Sequence, residues 1–461
     1  MKHYDFTIIG GGPSGIALAM MLQQTGKSIL LIEKEKTLGG CWRIEWEDGK
    51  YYTEHSPHII TSSYNRFFKL CKLLDVKNTF EKTYSYHNAL LSIYLSNNVR
   101  GNLTFSDVIK IISGLIISRF IENTQTVKEF SEHLSERAKK ALYIIAVTAA
   151  TTPDKLMMQD LFDEMQHAPP NIQQLKNPEL WIKKAQSFFN AIPNVDLVLN
   201  STVHDIKQYA NGEFILNDSI VTKKCILALP PIAICNILKN STPQIQNNWL
   251  PYDQFKQWAY GSYYASIGFQ LHFDIDVSYS NDWCWSCIGE WNIIILPMSK
   301  YLDTYSKDKS IKTVWSCTLI DQENYSSHLK KKVKECSIKE IEQEVIRQLN
   351  IPEPKRITFY DGLHKEKDYY MSKDTGFVRQ KFGTMRYEGK LENIHIVSTV
   401  NRKGIINMES ALQSCHDFVK IHHTGYEKIL DTSSYNWSSI IILITFCMIL
   451  TRKMYLHHMK R

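Results

Sequence analysis

The opening residues of this chain predict an α/β fold, and three observations carry that prediction. Asp5-Phe6-Thr7-Ile8-Ile9 reads as a short buried strand, and Gly10-Gly11-Gly12-Pro13-Ser14-Gly15 follows it at once. An apolar helical run, Ile16 to Leu22, comes next. After Gly26 a second strand, Ser28 to Ile32, ends on Glu33. The order strand, glycine turn, helix, strand, acid fits the dinucleotide fingerprint G-x-G-x-x-G on Gly10, Gly12 and Gly15, with the acid roughly twenty residues further on.

Each part has a physical task. Gly10 permits the tight turn, and Gly12 lets a pyrophosphate approach backbone N–H groups. Gly15 lets the helix pack on the strand, so that the positive end of its dipole faces the phosphates. Glu33 can accept hydrogen bonds from a ribose diol. Glycine turns alone are common, but here the strand and helix that the fingerprint requires flank the turn.

A second glycine pair follows the acid directly, in the run Glu33-Lys34-Glu35-Lys36-Thr37-Leu38-Gly39-Gly40-Cys41-Trp42. A simple nicotinamide site needs no second close backbone approach there. The stretch resembles the flavoprotein superfamily of FAD-dependent amine oxidases, phytoene-type desaturases and protoporphyrinogen oxidases, in which a charged residue and Gly-Gly follow the ribose-binding acid. The resemblance implies FAD, with Pro13, Ser14, Lys34, Gly39, Gly40, Cys41 and Trp42 joining Gly10, Gly12, Gly15 and Glu33 at the cofactor. No cysteine stands in that superfamily's covalent-flavin context, so the expected FAD is noncovalent.

At 461 residues the chain exceeds one ordinary core, and two interleaved domains are expected. Hydrophobic content of 44% and charged content of 22% are those of a globular protein. The formal charge of +7 is spread over many short lysine-containing segments. Its densest internal run, Lys330-Lys331-Lys332 with Lys334, reads as a solvated face, and no nucleic-acid motif accompanies it. No signal peptide precedes the first strand and the ten cysteines show no repeating spacing, so thiols facing a reducing compartment are expected.

Along the chain, Glu45 to Tyr52 reads as a hairpin around Asp48-Gly49. Glu54 to Thr61 follows, and then a helix from Arg66 to Leu74 with apolar residues at three-and-four spacing. From Leu103 to about Gln186 the pattern is helical, as an inserted cap over a substrate channel would be. Asn177-Pro178 opens its last helix. Val195 to Gln208 reads as a strand pair with Val203 near its middle, and the resemblance puts Val203 against the adenine. A hairpin at Asn211-Gly212 precedes Lys224 to Pro231, the superfamily's return strand, with a helix from Ile232 to Leu238 after it. Trp258–Asp274, Trp283–Pro297 and Lys312–Ile320 read as strands of an antiparallel substrate sheet, and Ile338 to Leu349 as an amphipathic helix. Asn393 to Thr399 is a last strand, running into a helix through Ser414. There Thr399, Gly404 and Glu409 resemble the superfamily's closing flavin contact.

The expected architecture is therefore a split Rossmann-like FAD-binding domain (1–60, 190–250 and 388–430) with an inserted α+β substrate domain (61–189 and 251–387) and a C-terminal hydrophobic helix. That helix, 437–456, centres on the uncharged run Trp437 to Leu450. The run is short of a usual membrane span of about twenty residues, and Arg452 and Lys453 would have to snorkel to extend it. A membrane anchor is expected there, with the catalytic domain facing the cytoplasm.

For the chemistry, the flavin would carry the hydride step. His58 is the best polar candidate near its ring, though histidines of this kind often only support loops. Tyr387, before the last strand, is a candidate wall residue. The amine-oxidase branch usually has a lysine on a strand like Ser262–Phe273, and this chain has none there. The pair in Trp283-Cys284-Trp285-Ser286-Cys287 allows a thiol relay or two strand cysteines on opposite faces. Three readings stay open: an FAD oxidoreductase acting on an amine or lipophilic substrate; a redox-neutral enzyme resembling flavin-using sugar mutases, from Pro57-His58-Ile59; and a catalytically silent membrane scaffold with a flavin fold.

Overall fold

The computed structural model describes residues 1–61, 64–76, 80–85, 104–118, 120–148, 151–167, 171–261, 266–278, 288–360, 362–366, 368–372, 383–404 and 406–432. The opening segment gives β1 (Lys2–Ile9), α1 (Pro13–Leu22) and β2 (Ile29–Ile32). Next come the hairpin β3 (Glu45–Glu47) and β4 (Tyr51–Thr53), then β5 (Ile60–Thr61), α2 (Asn65–Leu73) and β6 (Phe80–Ser85). Asp48 and Gly49 both have positive φ in the three-residue connection Asp48–Lys50 between the paired Glu47 and Tyr51.

The cap contributes α3 (Phe105–Ile117), α4 (Val127–Ser131), α5 (Glu136–Thr148) and α6 (Met158–His167). It is followed by β7 (Asn171–Leu175), α7 (Leu180–Ala191), β8 (Val195–Val198), β9 (Ile206–Gln208), β10 (Phe214–Leu216) and β11 (Ile220–Leu227). Helices α8 (Pro231–Asn240), α9 (Pro243–Gln246) and α10 (Tyr252–Gly261) lead to β12 (Ile267–Phe273), β13 (Ile294–Leu296) and β14 (Thr313–Leu319). The hairpin β15 (Tyr325–Ser326) and β16 (Lys331–Lys332), helix α11 (Ile338–Leu349), β17 (Arg356–Phe359), and the hairpin β18 (His364–Glu366) and β19 (Tyr369–Met371) come next. The last elements are β20 (Ile394–Ile396) and α12 (Met408–His422).

Strands from three separate parts of the chain share one seven-stranded sheet, ordered β8-β2-β1-β11-β10-β9, with β20 also paired to β11. Strand β11 is long enough to hold two neighbours along one edge. Its Ile220–Thr222 half pairs antiparallel with β10, and Cys225–Leu227 pairs parallel with β20. The sheet is buried on both faces, as parallel sheets are. In β2, Ile29 and Leu31 pack into a layer with α1, α7 and α12, while Leu30 and Ile32 pack into the opposite layer with α8 and α10. Helix α1 is apolar all round because α12 covers the side away from the sheet, with Leu412, Cys415, Phe418 and Val419 in the same core.

The second sheet is four-stranded and antiparallel, ordered β13-β14-β12-β17. Strand β12 alternates by face. Ile267, Phe269, Leu271 and Phe273 enter a core with Ile341, Val345 and Leu349 of α11. Gly268, Gln270 and His272 face the segment from Tyr51 to His55.

Several expectations need correction. Val195–Gln208 holds two strands that do not pair: β8 lies at one edge of the large sheet and β9 at the other end. Trp258 belongs to a helix and not to a strand, because Phe255, Trp258 and Ala259, at helical spacing, all enter the core beneath the sheet. The span 103–186 is not helical throughout, since β7 runs between β5 and β6 in a three-stranded sheet. The C-terminal run 437–456 lies outside the described residues, as do Cys284 and Cys287. Among the described residues no helix is long and apolar enough to cross a membrane.

The cap is held by Asp107, which is 2% exposed. Its carboxylate accepts from the Thr104 N–H (2.9 Å) and hydroxyl (2.7 Å) and from the Ser135 N–H (2.9 Å) and hydroxyl (2.7 Å). It therefore caps α3 and ties that start to the start of α5. Burial alone would raise its pKa, but the bonds from Ser135 and Thr104 outweigh burial and hold it at about 2. A carboxyl lowered on folding stabilises above its unfolded value of 3.8, and that contribution is lost as pH falls through about 2. Asp107→Asn is expected to lower stability at pH 7 by roughly 1–3 kcal/mol. Thermal melts of the two proteins should converge as pH falls from about 4 to about 2.

Candidate functional site

The site begins where β1 ends. Gly10 has φ +106°, and a Cβ there would lie 2.5 Å from the Ala228 carbonyl oxygen of the neighbouring return strand. A Cβ on Gly15 would lie 1.8 Å from the Gly10 oxygen, so only glycine lets α1 start this close to the turn. Gly12 is the N-cap of α1, with Pro13 at the first helical position. No side chain caps this end and no acid stands in its first turn. Its first N–H groups and the positive end of its dipole are thus left to an anion. Ser14, the next residue, is buried, and its carbonyl accepts from the Cys415 thiol at 3.4 Å.

The second glycine pair packs on the first. Gly39 (φ +115°) donates its N–H to the Gly11 oxygen at 2.8 Å. Gly40 (φ +55°) approaches so closely that its Cβ would lie 3.0 Å from the Gly12 Cα. Glu33, 5% exposed, joins these turns: Oε2 accepts from the Gly11 N–H at 2.6 Å and Oε1 from the Glu35 N–H at 3.0 Å. Arg43, 4% exposed, places its guanidinium 3.8 Å from Glu33 and 4.0 Å from Glu35. Such a buried charge needs its partner. The sequence reading missed Arg43, although its place just after Gly-Gly-Cys-Trp was a usable signal. Lys34, which it named, is half exposed and pairs with Glu35 at 3.6 Å.

Beyond β4 the chain forms an aromatic and imidazole cluster. The His58 ring lies 4.5 Å from Trp42 and 4.8 Å from His55, which in turn lies 5.8 Å from Tyr360. Cys41, half buried, precedes Trp42 in the turn. His58 Nδ1 is 2.8 Å from the Glu54 carboxylate, and Glu54 is 1% exposed. Burial, His58 and Arg43 push the His55 imidazole well below its ordinary range, with a hydrogen bond to the Cys41 backbone opposing them. Among the described residues, two polar atoms of this cluster are buried without a hydrogen-bond partner, His58 Nε2 and His55 Nδ1. Groups of this kind cost free energy unless a ligand or water meets them.

The second sheet fixes the cluster. A Cβ on Gly268 would lie 1.8 Å from the His55 oxygen, so β12 touches this backbone directly. Gln270, fully buried, accepts from the Glu54 N–H at 3.2 Å and donates to the Glu54 carbonyl at 2.9 Å. The strand on which a lysine was sought thus presents a glutamine that clamps Glu54.

The remaining expected residues have other surroundings. Glu409 lies in the first turn of α12, but its carboxylate accepts from the N–H groups of Arg66 (3.0 Å) and Phe67 (3.2 Å) and from the Arg66 guanidinium (3.3 Å). It caps α2, whose N-cap Tyr64 supplies no side-chain bond. Tyr387 donates to the Ser414 carbonyl at 3.0 Å and packs on Phe418, and burial pushes its hydroxyl up to about 12. Its contacts are therefore with the middle and end of α12 and not with the His58 cluster. Val203 is buried in the core beneath β2. Thr399 starts a short turn after β20, and the Gly404 N–H donates to Asp160 at 2.9 Å.

A groove of about 620 Å³ lies on the cap, lined by Ile109, Ile117, Ile121, Phe130 and Leu134 among others. None of its lining residues belongs to the glycine turns or to the His55–His58 segment. The chemistry and this groove are separate features.

An uncapped helix N-terminus, two glycine turns in backbone contact and a buried acid beside them fit a dinucleotide. The unpartnered imidazole nitrogens fit a polar ring beyond it. Residues 8–74 match the family described as NAD(P)-binding Rossmann-like domain. Over 138 residues the chain is 30% identical to UDP-galactopyranose mutase of Mycoplasma pneumoniae (strain ATCC 29342 / M129 / Subtype 1). That match covers 29% of this chain and 33% of the relative, about a third of its length. Among solved structures, putrescine oxidase bound to putrescine aligns over 91% of this chain and 99% of its own, with a TM-score of 0.58 and 14% identity. An oxidoreductase from Methanosarcina mazei aligns over 91% and 100%, with a TM-score of 0.58 and 11% identity. The chain thus contains a Rossmann-like dinucleotide-binding segment over residues 8–74. Its fold as a whole is that of the putrescine oxidase and the archaeal oxidoreductase.

Gly15→Ala is expected to weaken dinucleotide retention at least about tenfold, because α1 must move away from the phosphate position. Gly268→Ala should shift the His55 backbone and lower stability by roughly 1–3 kcal/mol. Cofactor retained after gel filtration checks the first and a thermal melt the second.

Proposed function

We propose that the chain is an FAD-dependent oxidoreductase that takes hydride from an amine or lipophilic substrate, with FAD held noncovalently. The observation that carries this reading is the backbone contact between the two glycine turns, braced by Glu33 and Arg43. A single dinucleotide fingerprint would leave the second turn unexplained. When bound, the flavin supplies the hydride acceptor. Gly12 and the first turn of α1 would hold its pyrophosphate, Glu33 its ribose, and Trp42 with His58 would border its ring.

The chain's own contribution is proton placement. Glu54 fixes the His58 tautomer through Nδ1, which leaves Nε2 to hold or release a proton beside a substrate. His55, kept neutral by burial, adds no competing charge. Gln270 fixes the backbone of Glu54 from which that carboxylate reaches His58.

The sequence match to UDP-galactopyranose mutase favours a second reading, a redox-neutral flavoenzyme acting on a nucleotide sugar. The absence of lysine in β12 is consistent with it. We also infer that the apolar run 437–456 attaches the protein to a membrane with its catalytic domain facing the cytoplasm. Deleting Trp437 onward should release the protein from the membrane pellet, and its continued sedimentation would refute the anchor.

The two flavin readings separate under anaerobic conditions. An oxidoreductase should be bleached in the visible by one of a panel of amines, polyprenols and dithiols. His58→Asn should slow that bleaching by roughly 10²–10⁴-fold while keeping the flavin. A protein unmoved by the panel, but converting a nucleotide sugar only once chemically reduced, would overturn the first reading in favour of the second.

A further inference from the structure

A second cluster, away from the glycine turns, has the chemistry of metal ligands. Glu388, His395 and His422 bring one carboxylate oxygen and two imidazole nitrogens within 4.8 Å of one another. His395 is the central residue of β20 and His422 the last residue of α12. Glu388 lies on the segment that bridges antiparallel to His395.

The spacing is that of ligands sharing an ion more than that of a tight ion pair. Glu388 Oε1 is 3.5 Å from His422 Nδ1 and 3.9 Å from His395 Nδ1. Hydrogen bonds between such groups are usually about 2.7–3.2 Å. Donors around a tetrahedral zinc ion with bonds near 2.0–2.1 Å stand about 3.4 Å apart.

A separate observation points the same way. His395 is 3% exposed, and its Nδ1, on the side of Glu388, is buried with no hydrogen-bond partner among the described residues. A stable fold rarely leaves such an atom unmatched without a reason.

We propose that Glu388, His395 and His422 bind a divalent transition-metal ion of the zinc class, with a fourth coordination position open to solvent. Glu388 is exposed and His422 partly so, which gives an ion access. The metal would pin the end of α12 to β20, the strand that completes the large sheet. The 15 residues of α12 separate this point from the helix N-terminus by about 20 Å, so its role is to fasten and not to react.

Two nearby lysines oppose a cation. Lys224 on β11 and Lys27 each place Nζ 5.9 Å from the Phe6 ring, which packs on His423 at 5.2 Å, beside His422. Removing the Lys224 charge should therefore tighten the site.

The test is calorimetric titration of Zn²⁺ into untagged, chelator-treated full-length protein in a His457→Ala, His458→Ala background, which removes the tail histidine pair. One ion per chain is expected, with a rise in melting temperature. Cobalt should give an intense visible d–d band that marks four-coordination. Glu388→Gln and His422→Gln should each weaken binding at least about tenfold, and Lys224→Gln should strengthen it. Glu388 is exposed, so its variant should melt normally without metal and stays informative if His422→Gln fails to fold. Absence of stoichiometric binding in the parent, or unchanged binding in Glu388→Gln, would overturn the proposal.

Discussion

The structure depends on two glycine turns brought into backbone contact. Gly12 and Gly40 meet without side chains between them, the Gly39 N–H bonds the Gly11 oxygen, and Glu33 bonds the Gly11 N–H from below. Any Cβ at Gly10 or Gly15 would strike backbone, so the geometry cannot relax by rotating a side chain. This constraint places the bare end of α1 over the carboxyl ends of β1 and β2, the position where open α/β sheets bind ligands. The buried pairing of Glu33 with Arg43 costs desolvation. It is offset here because the carboxylate is already fixed by two backbone N–H groups.

The second sheet meets the segment Tyr51 to His55, and Arg356 of β17 reaches on to Glu47 and Asp48. Strand β12 supplies one face to its own helix-covered core and the other, through Gly268, Gln270 and His272, to this segment. Burial pushes His272 down to about 4, so this contact adds no positive charge near Glu54. Consequently His58, Glu54 and Trp42 are held between the dinucleotide turns and the second sheet.

Much of this was legible because local rules decided it. The glycine fingerprint, the Asp48-Gly49 hairpin and α11 with its Ser337–Glu340 capping box all follow from near neighbours in sequence. What escaped reading depends on distant partners. Gly268 is required by the His55 backbone, Gln270 by Glu54, and Glu409 by the exposed N–H groups of Arg66 and Phe67. Trp258 looked like strand because aromatic residues favour strands, yet burial at helical spacing won. Strand β7, Asn-Ile-Gln-Gln-Leu, has little alternation, and its pairing comes from β5 and β6.

The central claim is that the paired turns hold the ADP half of a flavin dinucleotide. Its most direct test is fluorescence titration of the flavin-stripped protein. The account predicts saturable binding of one FAD per chain, with ADP competing effectively and FMN competing poorly, because the glycine turns grip the pyrophosphate and adenosine side. Equal binding of FMN and FAD, or no saturable FAD binding by a folded protein, would contradict it.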